Sequence, residues 1–86
     1  MRELDASELG TLELNGNWLP YVDLTGDCFL PTHVLMAGSE YAYRQSFTIR
    51  GHGATMPPAL AEVRQEGKRP LVVEREDRYY LFVTPP

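Results

Sequence analysis

The chain has 86 residues, 43% of them hydrophobic and 23% charged, and a formal net charge of −4. One domain is expected at that length, and folding hides only about 60–65% of the surface an unfolded chain exposes, which leaves little room for a deep pocket. The composition excludes disorder along the whole chain. No apolar run approaches the roughly 18 residues a membrane span needs, and Met1-Arg2-Glu3-Leu4-Asp5 lacks the basic-then-apolar design of a secretory signal, so a cytoplasmic protein without a membrane partner is expected.

Cys28 is the only cysteine, which excludes an internal disulfide and a cysteine-rich zinc site. A small core without such staples gains stability from a partner, so a complex with another protein or a homodimer is expected. The charge is uneven. Residues 1–43 carry seven acids against Arg2, a balance of −6, and residues 44–86 carry five acids against seven bases, a balance of +2. Complementary potential steers encounter, so the acidic half suits a partner with a basic surface. Direct nucleic-acid binding needs a basic patch, and Arg64, Lys68 and Arg69 are diluted by Glu62 and Glu66.

In chain order, residues 1–10 read as a loose arm or one turn of helix begun by Ser7. Thr11 to Leu14 alternates, Asn15-Gly16 is the pair that most readily forms a tight hairpin turn, and Asn17 to Asp23 returns. Pro20 lacks an amide donor and assigns this return strand to a sheet edge, or breaks it. Asp23-Leu24-Thr25-Gly26-Asp27 is a turn; as a calcium loop it has too few oxygen ligands at the required spacing. The apolar run from Cys28 to Ala37 predicts a buried strand at Thr32 to Met36. From Glu40 to Arg50 the alternation predicts a strand with Tyr41, Tyr43, Phe47 and Ile49 on one side and Gln45 intruding among them. Thr55 reads as a helix cap with Pro57 and Pro58 in the first turn, the helix running to Gln65 and ending at Gly67. Pro70 to Glu74 and Arg78 to Val83 form a hairpin rich in β-branched and aromatic residues. Together these predict one α+β domain over residues 1–86, with a mainly antiparallel sheet of four to six strands and one helix, Thr55 to Gln65, on one face.

The order helix, Gly67, hairpin over Leu60 to Val83, with the opening Met1 to Leu9, resembles in outline the small antitoxins of the prevent-host-death type. Residues 10 to 55 depart from that pattern, which places helix directly after the opening. What the resemblance implies is limited to a small acidic chain that neutralises a partner.

Nucleophilic chemistry needs a thiolate or hydroxyl beside a base. Cys28, His33 and His52 are the available set, and no local spacing joins them; Cys28 beside Phe29 and Leu30 reads as a small buried hydrophobe. His52, flanked by Gly51 and Gly53, is an exposed loop candidate, but no lysine follows it to make a phosphate loop. Tyr79 and Tyr80 are adjacent strand residues and point to opposite faces, so one of them faces outward. The expectation is a non-enzymatic protein-binding module, of inhibitor, immunity or accessory-subunit type, with no metal or cofactor. Its contact residues are expected to be Glu3, Asp5, Glu8, Glu13, Trp18, Tyr79 and Tyr80. The alternatives are a structural homo-oligomer and a small enzyme using Cys28 with His52 or His33.

Overall fold

Alternating runs separated by tight turns become strands in the computed structural model, which describes residues 2–14, 16–26, 29–50 and 52–85, with helical side chains from Met56 onward. The elements are β1 (Arg2–Leu4), a 3-10 turn η1 (Ala6–Glu8), β2 (Gly10–Leu14), β3 (Asn17–Asp23), β4 (His33–Met36), β5 (Ser39–Thr48), α1 (His52–Gln65), β6 (Pro70–Arg75) and β7 (Arg78–Val83). All strands join one sheet in the order β1-β4-β5-β7-β6-β3-β2. The pairs β1/β4 and β3/β6 are parallel and the other four antiparallel. The fold is α+β, but a seven-stranded mixed sheet replaces the mainly antiparallel sheet of four to six strands. The additional strand is Arg2-Glu3-Leu4, too short to show a period, which exists through parallel pairing with Val34, Leu35 and Met36.

The connectivity forces the sheet to curl. β1 and β2 are its two outer strands. Seven strands laid flat at about 4.8 Å spacing would put them about 29 Å apart. Leu4 and Gly10, the ends to be joined, are six Cα steps apart and reach at most about 21 Å even when extended, and η1 shortens that reach. The two edges therefore bend toward each other.

Each face carries its own core. On one, Met56, Ala59, Leu60 and Val63 of α1 pack on Leu14, Leu19, Phe47, Val72, Tyr79 and Leu81. The other face holds Leu4, Val22, Val34, Met36, Tyr41, Leu71, Val73 and Phe82, buried although α1 lies on the opposite side. The curl and the β3–β4 connection hide them: Leu24 of that connection belongs to the cluster and Leu30 packs against it.

The regular alternation expected over Glu40 to Arg50 is interrupted. Tyr43 pairs with Phe82 and Gln45 with Leu81, so Arg44 is an extra residue, a β-bulge. It switches the face of everything after it. Tyr41 lies in the helix-free core, whereas Phe47 and Ile49 serve the helix-side core. Gln45, opposite Leu81, moves with Phe47 to the helix-side face and remains the exposed polar residue of that row. Pro20 also departs from expectation, since β3 is flanked by β2 and β6. Its pairing with β6 begins only at Tyr21, and Pro20 sits opposite Thr11 just before that point. The missing donor falls where β3 has one neighbour, not two.

Helix α1 begins three residues before the expected cap at Thr55, so Pro57 and Pro58 stand inside it. Gly67, at φ 74, ends it as its position suggests: the Lys68 N–H donates to Val63 C=O and the Gly67 N–H to Arg64 C=O, closing the orphan carbonyls of the last turn. The bulge residue Arg44 reaches this end, donating from Nη2 and Nη1 to both Glu66 oxygens at 2.6 and 3.1 Å, while Lys68 Nζ lies 3.2 Å from Oε1. The Arg44 hydrogen bonds, then that of Lys68, hold the Glu66 carboxyl at about 2, below its ordinary 4.5. A depressed carboxyl pKa contributes stability that is present above 4.5 and lost as pH falls toward 2. Urea unfolding across that window is expected to show a shallower loss of stability in Glu66→Gln than in the wild type; parallel slopes would contradict the ion pair.

The β4–β5 turn places Ala37 at φ 51 and Gly38 at φ 80, between the paired residues Met36 and Ser39. Two positive φ values make a type I′ turn, which favours Asn-Gly, and alanine there carries a left-handed cost of about 1 kcal/mol. Ala37→Asn is expected to stabilise the domain by about 0.5–1 kcal/mol in thermal or urea unfolding.

Candidate functional site

The β2–β3 hairpin forms one edge of the sheet, and its register decides what it offers. Leu14 pairs with Asn17, Glu13 with Trp18, Leu12 with Leu19, Thr11 with Pro20 and Gly10 with Tyr21. Leu14 and Leu19 are buried in the helix-side core and Leu12 packs against it. Alternation then directs Thr11, Glu13, Trp18 and Pro20 to the opposite face. Near the hairpin end that face is open, and Trp18 is 69% exposed. An indole this exposed adds little to the core and is the type of side chain that anchors protein contacts.

The four acids singled out from the sequence are all exposed and lie along the run β1–η1–β2. Three also hold local backbone. Asp5 Oδ1 accepts from the Ser7 N–H at 2.9 Å, and Glu8 Oε2 accepts from the Asp5 N–H at 3.2 Å, a reciprocal capping box around η1. That backbone hydrogen bond from Ser7 lowers the Asp5 pKa. Glu13 Oε1 accepts from the Gly16 N–H at 3.1 Å, bracing the hairpin turn. Glu3 stands in β1 and lines, with Asp5, Ala6, Leu35 and Ala37, an open cleft of about 610 Å³.

The aromatic residues divide. Tyr79 is 9% exposed and belongs to the helix-side core, so it offers no contact surface. Tyr80, on the opposite face, is half-buried and meets Tyr43 edge-on at 6.1 Å between ring centres; Tyr43 also lies 6.0 Å from Phe82. Tyr43 is 40% exposed, and the sequence did not single out Phe29 (72%) or Leu9 (42%) as surface groups. Phe29 sits in the most apolar stretch of the chain, and nothing in its neighbours distinguishes an exposed ring from a buried one.

At the other end of β3, Tyr21 donates its hydroxyl hydrogen to Glu74 Oε1 at 2.7 Å. Burial, then this carboxylate, raise the Tyr21 pKa, and burial followed by Glu74 raises that of Tyr79. A phenol held protonated on its acceptor is a structural tie between β3 and β6, not a nucleophile.

Of the groups considered for covalent chemistry, Cys28 lies outside the described residues, and His52 is not in a loop but opens α1, its side chain also outside the described residues. His33 is exposed on β4, its Nδ1 3.0 Å from Thr32 Oγ1. Among the described residues no three His, Cys, Asp or Glu side chains are grouped to hold a metal, and no helix is long and apolar enough to cross a membrane. Compared with protein-family models, with curated proteins and with solved structures, the chain matches none of them. The functional reading therefore rests on these residues alone.

Proposed function

We propose that the protein is a non-enzymatic protein-binding module whose contact surface is the β2–β3 hairpin together with the acidic run that leads into it. The exposed Trp18, across the ladder from Glu13, carries this reading. A large apolar ring beside a carboxylate suits a partner that brings apolar and basic groups together, and the −6 balance of residues 1–43 favours encounter with such a surface. A cytoplasmic setting accompanies the proposal.

The test is affinity capture from the host lysate at low and moderate salt, with wild type, Trp18→Ala, and a variant carrying Glu3→Gln, Asp5→Asn, Glu8→Gln and Glu13→Gln. The amides keep acceptors for η1 and the hairpin turn while removing charge. Trp18→Ala is expected to weaken a captured complex by about 2 kcal/mol, roughly thirtyfold, while changing stability by under about 0.5 kcal/mol. The amide variant is expected to lose capture mainly at low salt. If no protein is retained by the wild type, or if retention is indifferent to both variants, the reading fails.

A further inference from the structure

Among the described residues no strand pairs with the outer edge of β2. In a hairpin closed by a two-residue turn, the pair flanking the turn exchanges both backbone hydrogen bonds and the pattern then alternates. With Leu14 paired to Asn17, the bonded pairs are Leu14/Asn17, Leu12/Leu19 and Gly10/Tyr21. Thr11 and Glu13 fall between them, so their N–H and C=O groups point away from β3 to the side where the sheet ends. Pro20, opposite Thr11, fits this phase, because its missing N–H falls on the side away from β2. The free groups of Thr11 and Glu13 repeat at about 6.8 Å, the two-residue step of an extended strand. The other edge, β1, has only three residues, half the length a partner strand usually occupies.

We infer that β2 takes a basic, extended segment of a partner protein as an eighth strand, paired to the backbone of Thr11 and Glu13. This deepens the protein-binding proposal and rests on it. Main-chain bonds supply the docking frame, and alternate side chains of the added strand face the Glu13 and Trp18 side. Charge selects the occupant. Glu8, Glu13 and the acids before them attract lysine or arginine at those alternate positions, whereas a second copy of this chain brings an equal acidic run and is repelled.

The probe is a short blocked peptide alternating lysine with threonine, compared with its glutamate counterpart and with a form N-methylated at alternate amides. Amide hydrogen exchange of the full chain reads the result. In the free protein the Thr11 and Glu13 amides are expected to exchange rapidly, and the lysine peptide is expected to slow both by about tenfold or more. The glutamate and N-methylated peptides are expected to leave them unchanged. Thr11→Pro removes an outward N–H that no ladder bond uses, so the fold is expected to survive while the peptide Kd rises by about tenfold or more. Three results overturn the proposal: no slowing with the lysine peptide, equal binding by Thr11→Pro, or slow Thr11 and Glu13 exchange in the peptide-free protein with a dimer in sedimentation, which marks self-pairing. Lysate capture that survives Thr11→Pro but is lost in Trp18→Ala would sink the strand-addition proposal and leave the protein-binding reading standing.

Discussion

Phe82→Ala is expected to cost about 3–5 kcal/mol, because a fully buried ring is replaced by a cavity that its neighbours on the two flanking strands cannot collapse into. A domain of this length has a total stability of only about 4–13 kcal/mol. The melting temperature is therefore expected to fall by about 15–30 °C, and much of the protein is expected to unfold during purification. Phe82→Leu, which keeps most of the volume, is expected to lose only about 1–1.5 kcal/mol and keeps the comparison measurable. Phe82 lies on the face that carries no helix, so the size of the loss measures how completely the curl, Leu24 and Leu30 enclose that face. A loss below about 1.5 kcal/mol for alanine would show that the face is wet and the argument from chain reach wrong.

Insertion of one alanine between Ser46 and Phe47 is expected to be as damaging, and for a reason of register alone. With one residue added there, strict alternation would carry Phe47 to the face of Tyr41 and Tyr43 and away from Met56, Leu60 and Val63, whereas deleting Arg44 would leave Gln45 opposite Leu81 and Phe47 opposite Tyr79. The expected loss is about 3 kcal/mol or more, set by displacing a buried ring from the helix-side core. Arg44→Ala keeps the bulge and removes only an exposed ion pair, at an expected cost of under about 1 kcal/mol. Urea unfolding of the two variants separates these effects. Equal losses would mean that β5 absorbs the insertion as a second bulge, and that its register is weakly specified.

The β2–β3 and β6–β7 hairpins were legible because their evidence is local. Asn15-Gly16 lies between alternating runs, and the dense β-branched and aromatic run after Pro70 needs no distant partner to be read as sheet. Gly67 marked the helix end for the same reason, since only the last turn's carbonyls and a residue with positive φ are involved. The helix start was misplaced at Thr55 because prolines usually sit in a first turn, whereas here Pro57 and Pro58 follow residues already helical.

Of the candidate surface, Trp18 was named as a contact residue, but its exposure appeared only with the register that sets it opposite Glu13 on the face away from α1. Tyr79 and Tyr80 were correctly separated onto two faces by alternation, but which face was covered by α1 was not a property of the pair. The acids were visible as charges, whereas their work as backbone acceptors in η1 and the hairpin turn appeared only with the geometry.

By itself, then, the sequence determined an α+β domain with two tight hairpins, one helix and an acidic first half, because turn chemistry, side-chain period and charge act between near neighbours. Tertiary structure decided the seventh strand, the parallel pairs, the bulge at Arg44 and the curl. Each depends on contacts between residues far apart in the chain: β1 exists only against β4, and β1 and β2 bend toward one another because six Cα steps must join opposite edges of the sheet. The strand order and the β2–β3 register leave the outer backbone of Thr11 and Glu13 at the sheet's margin.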